Sequence, residues 1–190
     1  LLGRLDGSHI PQYLHPVLVI NQTDTSKANL KSLMAALEPF SSQAGIAISV
    51  KDASKEVAHL TDLIQTLQKN NWNKIIVLVS DQASSDDLKA IATLKSVLDN
   101  GNWNGWVQAT QSQLDAIQQA SQPFKPQQLI VDMSGVSSKT EPMSKLLQQY
   151  QAASAGVNGV FIDDSSYSAD DINALRQAIF LNTYPNGVDK

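Results

Sequence analysis

Acidic and amide side chains recur in this sequence where short apolar runs end. They are Asn21, Asp24, Asp52, Asp81, Gln108, Asp132, Asp163 and Asp164. If the runs are parallel strands, their carboxyl ends meet at one edge of a sheet, where α/β proteins bind ligands. Clustered carboxylates there could hold a divalent cation, or a pair could divide acid and base roles as in glycoside hydrolysis. The alternative is that these residues cap the helices that follow the strands.

The apolar runs alternate with segments of helical spacing, which predicts about six βα units. The runs occupy residues 17–20, 46–50, 75–79, 106–109, 129–131 and 160–162. Between two of them, Ser84 and Asp87 have the spacing of a capping box and predict a helix start. Such alternation favours a parallel sheet with right-handed crossovers. Residues 1–16 are predicted to be an irregular lead-in, and residues 17–190 a single α/β domain.

Two architectures fit this alternation. Six units in 190 residues suit a doubly wound three-layer sheet, with helices on both faces. The alternative is a short or incomplete (β/α)8-like barrel, since a complete one usually takes about 250 residues.

Similar joints precede three of the predicted strands, at residues 71–74, 102–105 and 156–159. Each contains Asn or Gly, which readily adopt the left-handed conformation that ends a helix. The apolar residue of each joint is expected to fill the amino end of the core. Trp72 and Trp103 are therefore predicted to be structural residues.

Composition excludes some functions. The net charge is −4, arginine occurs only at Arg4 and Arg176, and no basic cluster exists, so nucleic-acid binding is not expected. Charged residues make up 17%, against about 25% in typical domains, and amides and hydroxyls replace them. This composition favours an extracellular or cell-surface location. The absence of cysteine is compatible with a bacterial source or with a cytoplasmic location instead.

No cofactor is identified from the sequence. It contains no P-loop, no G-x-G-x-x-G dinucleotide fingerprint and no G-x-S-x-G elbow. His9, His15 and His59 are predicted to be surface or packed residues. No apolar run approaches the roughly 18 residues that a membrane span requires.

Two short segments resemble known motifs. Residues 164–168 read D-x-S-x-S, which resembles the metal-ion-dependent adhesion motif of von Willebrand A-type domains and implies a possible divalent cation. Residues 156–164, GVNGVFIDD, resemble a strand of secreted glycosidase-like TIM barrels, although Asn158 stands where that family usually has Asp. The second resemblance implies Asp163 or Asp164 as a site residue, with Asp132 on the preceding strand as its partner.

Two functional hypotheses follow. The first is a non-enzymatic secreted or cell-surface module of a larger protein, since the chain starts abruptly at Leu1; it would bind a glycan or a protein partner. The alternative is a glycoside-hydrolase-like domain with Asp132, Asp163 and Asp164 as catalytic residues. Asp52 and Asp81 are interpreted as loop and capping residues.

Overall fold

The computed structural model describes most of the chain between Val17 and Ser134, and less of it after that. The described residues are 17–21, 27–40, 44–72, 74–99, 104–120, 124–134 and 159–161, with single positions or short pieces at 145, 148–149, 152, 157, 168–170 and 173–174. The predicted lead-in lies outside them, as do Trp103 and Asn158.

Bounds are defined for six strands and five α-helices of the described residues. The strands are β1 (Val17–Asn21), β2 (Gly45–Val50), β3 (Lys74–Val79), β4 (Asn104–Ala109), β5 (Leu129–Asp132) and β6 (Gly159–Phe161). The helices are α1 (Lys27–Leu37), α2 (Ala53–Lys69), α3 (Ser85–Thr93), α4 (Lys95–Leu98) and α5 (Gln111–Gln118). Short 3-10 turns occupy Glu38–Phe40 and Pro126–Gln128. The predicted alternation of strands and helices is confirmed.

The six strands form one parallel sheet, as predicted, and their order in the sheet is their order in the chain. The register is continuous, with Ile46 beside Ile75 and Val77 beside Val107. A doubly wound sheet reverses its strand order at a switch point, and this sheet has no reversal. The sequential order is the one that a (β/α)8-like barrel has, although no pairing of β6 with β1 closes the described sheet.

Coverage of the sheet differs between its two faces. Side chains such as Ile48, Val77 and Val131 point to one face and are buried with the apolar residues of the helices in one core cluster. On the other face, Val19 is 62% exposed and Phe161 is 44% exposed. Right-handed crossovers between strands in sequential order place every helix on the same side. The expected helical layers on both faces are therefore not found among the described residues.

Helix α2 shows why these segments become core helices. Leu60, Leu63, Ile64 and Leu67 are fully buried, and their spacing places them on one side of the helix. Burying each such side chain contributes about 1.5–3 kcal/mol. The helix is thus fixed on the sheet by its apolar stripe.

The joint between α2 and β3 has the predicted form. Asn71 has a φ of 63°, and the amides of Asn71 and Trp72 donate to the carbonyls of Gln68 and Leu67. These two bonds define a Schellman motif, in which the residue after the left-handed position contacts the last turn. Trp72 is fully buried, which confirms its structural role.

The apolar spacing after the capping box predicts one helix, with its stripe at Leu88, Ile91, Leu94, Val97 and Leu98. The structure has two helices, α3 and α4, with a break at Leu94. Helix α4 lies very close to the next strand. A Cβ atom added to Gly105 would be 2.7 Å from Cδ2 and 3.1 Å from Cβ of Leu98, so any residue other than glycine would require Leu98 to shift. Glycine at the start of β4 thus permits α4 to pack directly on the strand.

Among the described residues, no helix has the length and apolar character needed to cross a membrane.

Candidate functional site

A cavity of about 690 Å³ lies at the carboxyl ends of β4 and β5. The described residues that line it are Asp81, Thr110, Gln111, Ser112, Val131, Asp132, Met133, Ser134, Gln149 and Ala152. They supply two carboxylates, two amides, three hydroxyls and an apolar part. None of them carries a positive charge.

Asp132 is the last residue of β5 and is partly buried. Its Oδ2 accepts a hydrogen bond from Nε2 of Gln108 at 2.9 Å, and its Oδ1 accepts one from the amide of Ser134 at 2.8 Å. A carboxylate offers about four acceptor positions. Asp132 is therefore held in one orientation and retains acceptor capacity for a ligand.

Gln108 lies on the adjacent strand β4 and is only 7% exposed. It faces away from the helical core, on the same side of the sheet as Asp132, because the register places it beside Ile130, two residues earlier on β5. A buried amide needs hydrogen-bond partners. The bond to Asp132 supplies one for the amide of Gln108, and it also orients the carboxylate of Asp132.

The polar residues from Thr110 to Ser112 are positioned by the start of α5. Thr110 and Gln113 form a capping box, in which the amide of Thr110 donates to Oε1 of Gln113 at 3.1 Å. Nε2 of Gln113 also donates to the carbonyl of Ser80 at 2.8 Å. This bond ties the loop after β3, which carries Asp81, to the loop after β4. Two sides of the cavity are thereby joined.

Gln149 has a helical backbone, as do the described positions Lys145, Gln148 and Ala152. Its Oε1 is buried and has no hydrogen-bond partner among the described residues. Burying an amide oxygen without a partner costs about 1–3 kcal/mol. Gln149 itself is one of the residues that line the cavity.

A second carboxylate at this edge of the sheet has a different environment. Asp87 is 6% exposed and accepts bonds from the amide and hydroxyl of Ser54 at 2.8 and 2.6 Å. It accepts two more from the amide and hydroxyl of Ser84 at 3.0 and 2.6 Å. Hydrogen bonds from the Ser54 side chain, and then from Ser84, hold the pKa of Asp87 well below its usual range. Asp87 completes the predicted capping box and links α3 to α2.

The structure brings some of the sequence-predicted residues together. Asp132 and Asp81 line the same cavity, and Gln108 donates a hydrogen bond to Asp132. Asp81 lies in an exposed turn, as the loop interpretation expects, and the cap of α3 is Ser84.

Other predicted residues lie elsewhere or outside the described part. Asp52 stands at the N-cap of α2 without a side-chain capping bond, and its Oδ1 instead accepts from Nζ of Lys55 at 3.3 Å. Asn21 ends β1 and is exposed. Asp24, Asp163 and Asp164 lie outside the described residues, so their site roles stay predictions.

Among the described residues, no group of three His, Cys, Asp or Glu side chains is arranged to hold a metal ion. The predicted divalent cation therefore has no ligand set in that part of the chain. The D-x-S-x-S segment falls mostly outside the described residues.

Sequence reasoning missed two parts of the cavity. The T-x-x-Q pattern from Thr110 to Gln113 is a capping box, and it could have located the start of α5. Gln149 offered no comparable signal, since its importance depends on burial beside a cavity.

Comparisons with protein-family models, curated proteins and solved structures gave no match.

Proposed function

We propose that this chain is a carbohydrate-binding module that holds a glycan in the cavity at the carboxyl ends of β4 and β5. The observation that carries the proposal is the composition of the cavity lining, which combines carboxylate and amide acceptors with apolar side chains. Sugars present hydroxyls that donate and accept hydrogen bonds, and CH groups that contact apolar side chains. A concave site with a few oriented polar groups is the usual form of a small-ligand site.

The amide-rich and weakly charged composition supports a secreted or cell-surface location for this function. A surface module that binds glycans would need no cofactor. An antibody against the domain, used on fractions of the producing cells, should detect it in the medium or at the surface. Detection only in the cytoplasm would contradict the location.

A second candidate function is glycoside hydrolysis. It is favoured by the sequential strand order, which barrel enzymes share, and by the presence of Asp81 and Asp132 in the same cavity. Asp163 and Asp164 would be further candidate catalytic residues by the resemblance of residues 156–164.

One experiment tests both functions. The protein is titrated with a panel of oligosaccharides by calorimetry, and the same mixtures are analysed for shorter products. Asp132→Asn should lower the affinity for a bound glycan at least about tenfold, because a hydrogen bond to a charged group contributes roughly 1.5–3 kcal/mol. Product formation that Asp132→Asn abolishes would favour hydrolysis over binding alone.

The matched control is Asp62→Asn, the same chemical change at an exposed position of α2. It should leave the affinity unchanged. Equal affinity of Asp132→Asn and the unmutated chain would place the glycan elsewhere, and no binding across the panel would contradict the proposed function.

A further inference from the structure

Gln149 differs from the other partly or fully buried glutamines of the described chain. Nε2 of Gln108 and of Gln113 each donate to a named oxygen. Gln118 uses both ends of its amide, since Nε2 donates to the carbonyl of Phe124 and Oε1 accepts from the amide of the same residue. Only the amide oxygen of Gln149 is buried without a partner in the described part of the chain. Buried polar atoms are normally paired, so this oxygen indicates a missing donor.

The two carboxylates of the cavity are further acceptors that could bind donor groups of a ligand. Asp132 accepts two protein hydrogen bonds and has capacity for more. Asp81 adds a second carboxylate at an exposed turn. The described lining residues include no lysine, arginine or histidine, so an anionic group here would lie near the two carboxylates of Asp81 and Asp132.

We propose that the cavity binds an uncharged sugar through the sugar's hydroxyl donors, which Gln149 Oε1 and Asp132 accept, and that it rejects acidic sugars. The proposal rests on the proposed function and adds to it the class of ligand and a specificity-determining residue. The hydroxyl that bonds to Gln149 satisfies the buried oxygen only in the complex.

Ligand charge is tested with two oligosaccharides that differ at one carbon of each unit. A galactose hexamer and a galacturonic acid hexamer, of matched linkage, are titrated into the full chain at neutral pH and low salt, beside neutral gluco-, manno- and xylo-oligosaccharides. The acidic hexamer should bind at least about tenfold more weakly than the best neutral ligand, because like charges repel strongly at a partly desolvated site. Raising the salt concentration should narrow that gap.

The role of Gln149 is tested with Gln149→Leu, which keeps the size of the side chain and removes its polar atoms. Loss of an unsatisfied oxygen should leave the thermal midpoint unchanged or raised. The affinity for the neutral ligand should fall about threefold to tenfold, because one hydrogen bond is lost. The control Gln148→Leu changes an exposed neighbour on the same helical stretch and should not alter the affinity.

The outcomes separate the two proposals. If no oligosaccharide binds, the proposed function fails and this inference fails with it. If the acidic and neutral hexamers bind equally, or if Gln149→Leu binds as the unmutated chain does, only this inference is overturned. A lowered thermal midpoint in Gln149→Leu with unchanged affinity would assign Gln149 a structural role.

Discussion

Two aspartates at the same edge of the sheet, Asp87 and Asp132, have opposite environments. Asp87 accepts four hydrogen bonds from Ser54 and Ser84, which occupy both of its oxygens, and it is almost fully buried. Asp132 accepts two, remains partly exposed and lines a cavity. The first carboxylate is saturated by the protein, whereas the second has capacity left over.

This difference shows how a structural acid can be separated from a candidate binding acid in an α/β protein. Asp132 ends β5 and Asp87 lies in the first turn of α3, so both are at the carboxyl edge of the sheet, and location at that edge does not distinguish them. The number of protein donors does, because a carboxylate with all its acceptor positions filled cannot contact a ligand. Burial adds to this, since a buried charge is retained only when it is paired or hydrogen-bonded.

The largest effect is expected from Asp87→Ala. The free energy of unfolding should fall by about 3 kcal/mol, because the capping box is lost and the amide and hydroxyl donors of Ser54 and Ser84 lose their acceptor. Urea denaturation measures this loss. Asp132→Ala, compared under the same conditions, should cost less than about 1.5 kcal/mol.

The control for Asp87 is Asp86→Ala, which removes the neighbouring exposed carboxylate and its ion pair with Lys89. Exposed pairs contribute little, so the change should be below about 0.5 kcal/mol. Equal losses from Asp87→Ala and Asp132→Ala would remove the distinction between the two aspartates.

A smaller effect is expected in the pH dependence of stability. The pKa of Asp87 is lowered by folding, whereas an unfolded aspartate titrates near about 3.9. Its ionised form therefore stabilises the fold fully above about pH 4, and this contribution is lost as the pH falls toward the pKa of the folded state. The stability difference between the unmutated chain and Asp87→Asn should shrink by up to about 1.4 kcal/mol per pH unit below pH 4.

Urea titrations measure this difference directly. They are run between about pH 2.5 and 7, with roughly one titration every half pH unit. A difference that stays constant over that range would show that the charge of Asp87 contributes nothing to stability.

The smallest effect is expected from Gln108→Leu, which acts on Asp132 through a neighbour. Without the bond from Nε2 of Gln108, the carboxylate of Asp132 keeps only the hydrogen bond from the amide of Ser134 and is less firmly oriented. The affinity for a bound glycan should fall about threefold to tenfold with a stability change below about 1 kcal/mol. A fall in affinity larger than that of Asp132→Asn would mean that Gln108 contacts the ligand itself.

Local features of this fold were predictable, because they depend on residues close in the chain. Ser84 and Asp87 form the predicted capping box, and Asn71 adopts the left-handed conformation that the joint at residues 71–74 indicated. The bonds from Ser54 to Asp87 connect positions 33 residues apart. A sequence pattern carries no information about such a pair, since neither residue belongs to the other's helix.

The strand order, like the Ser54–Asp87 contact, could not be predicted from the sequence. A continuous apolar run indicates a buried strand and does not indicate which strands lie beside it, so both the doubly wound sheet and the barrel-like alternative remained compatible with the six runs. The sequential order was fixed by packing, with all described helices on one face. That order also explains why Val19 and Phe161, on the two edge strands, are exposed on the other face.

The acids at the strand ends follow from the sequence alone, because hydrophobic periodicity places each strand end within a residue or two. The capping-box spacing already indicated a structural role for Asp87, but the partners that distinguish it from Asp132 required the tertiary structure. Asp87 is saturated by donors from a different helix, and Asp132 is oriented by an amide from a different strand. Gln149 became a candidate ligand contact only through its burial beside the cavity. Hydrogen-bond saturation and burial depend on neighbours that the fold supplies, and so the tertiary structure decided which side chains remain free to bind.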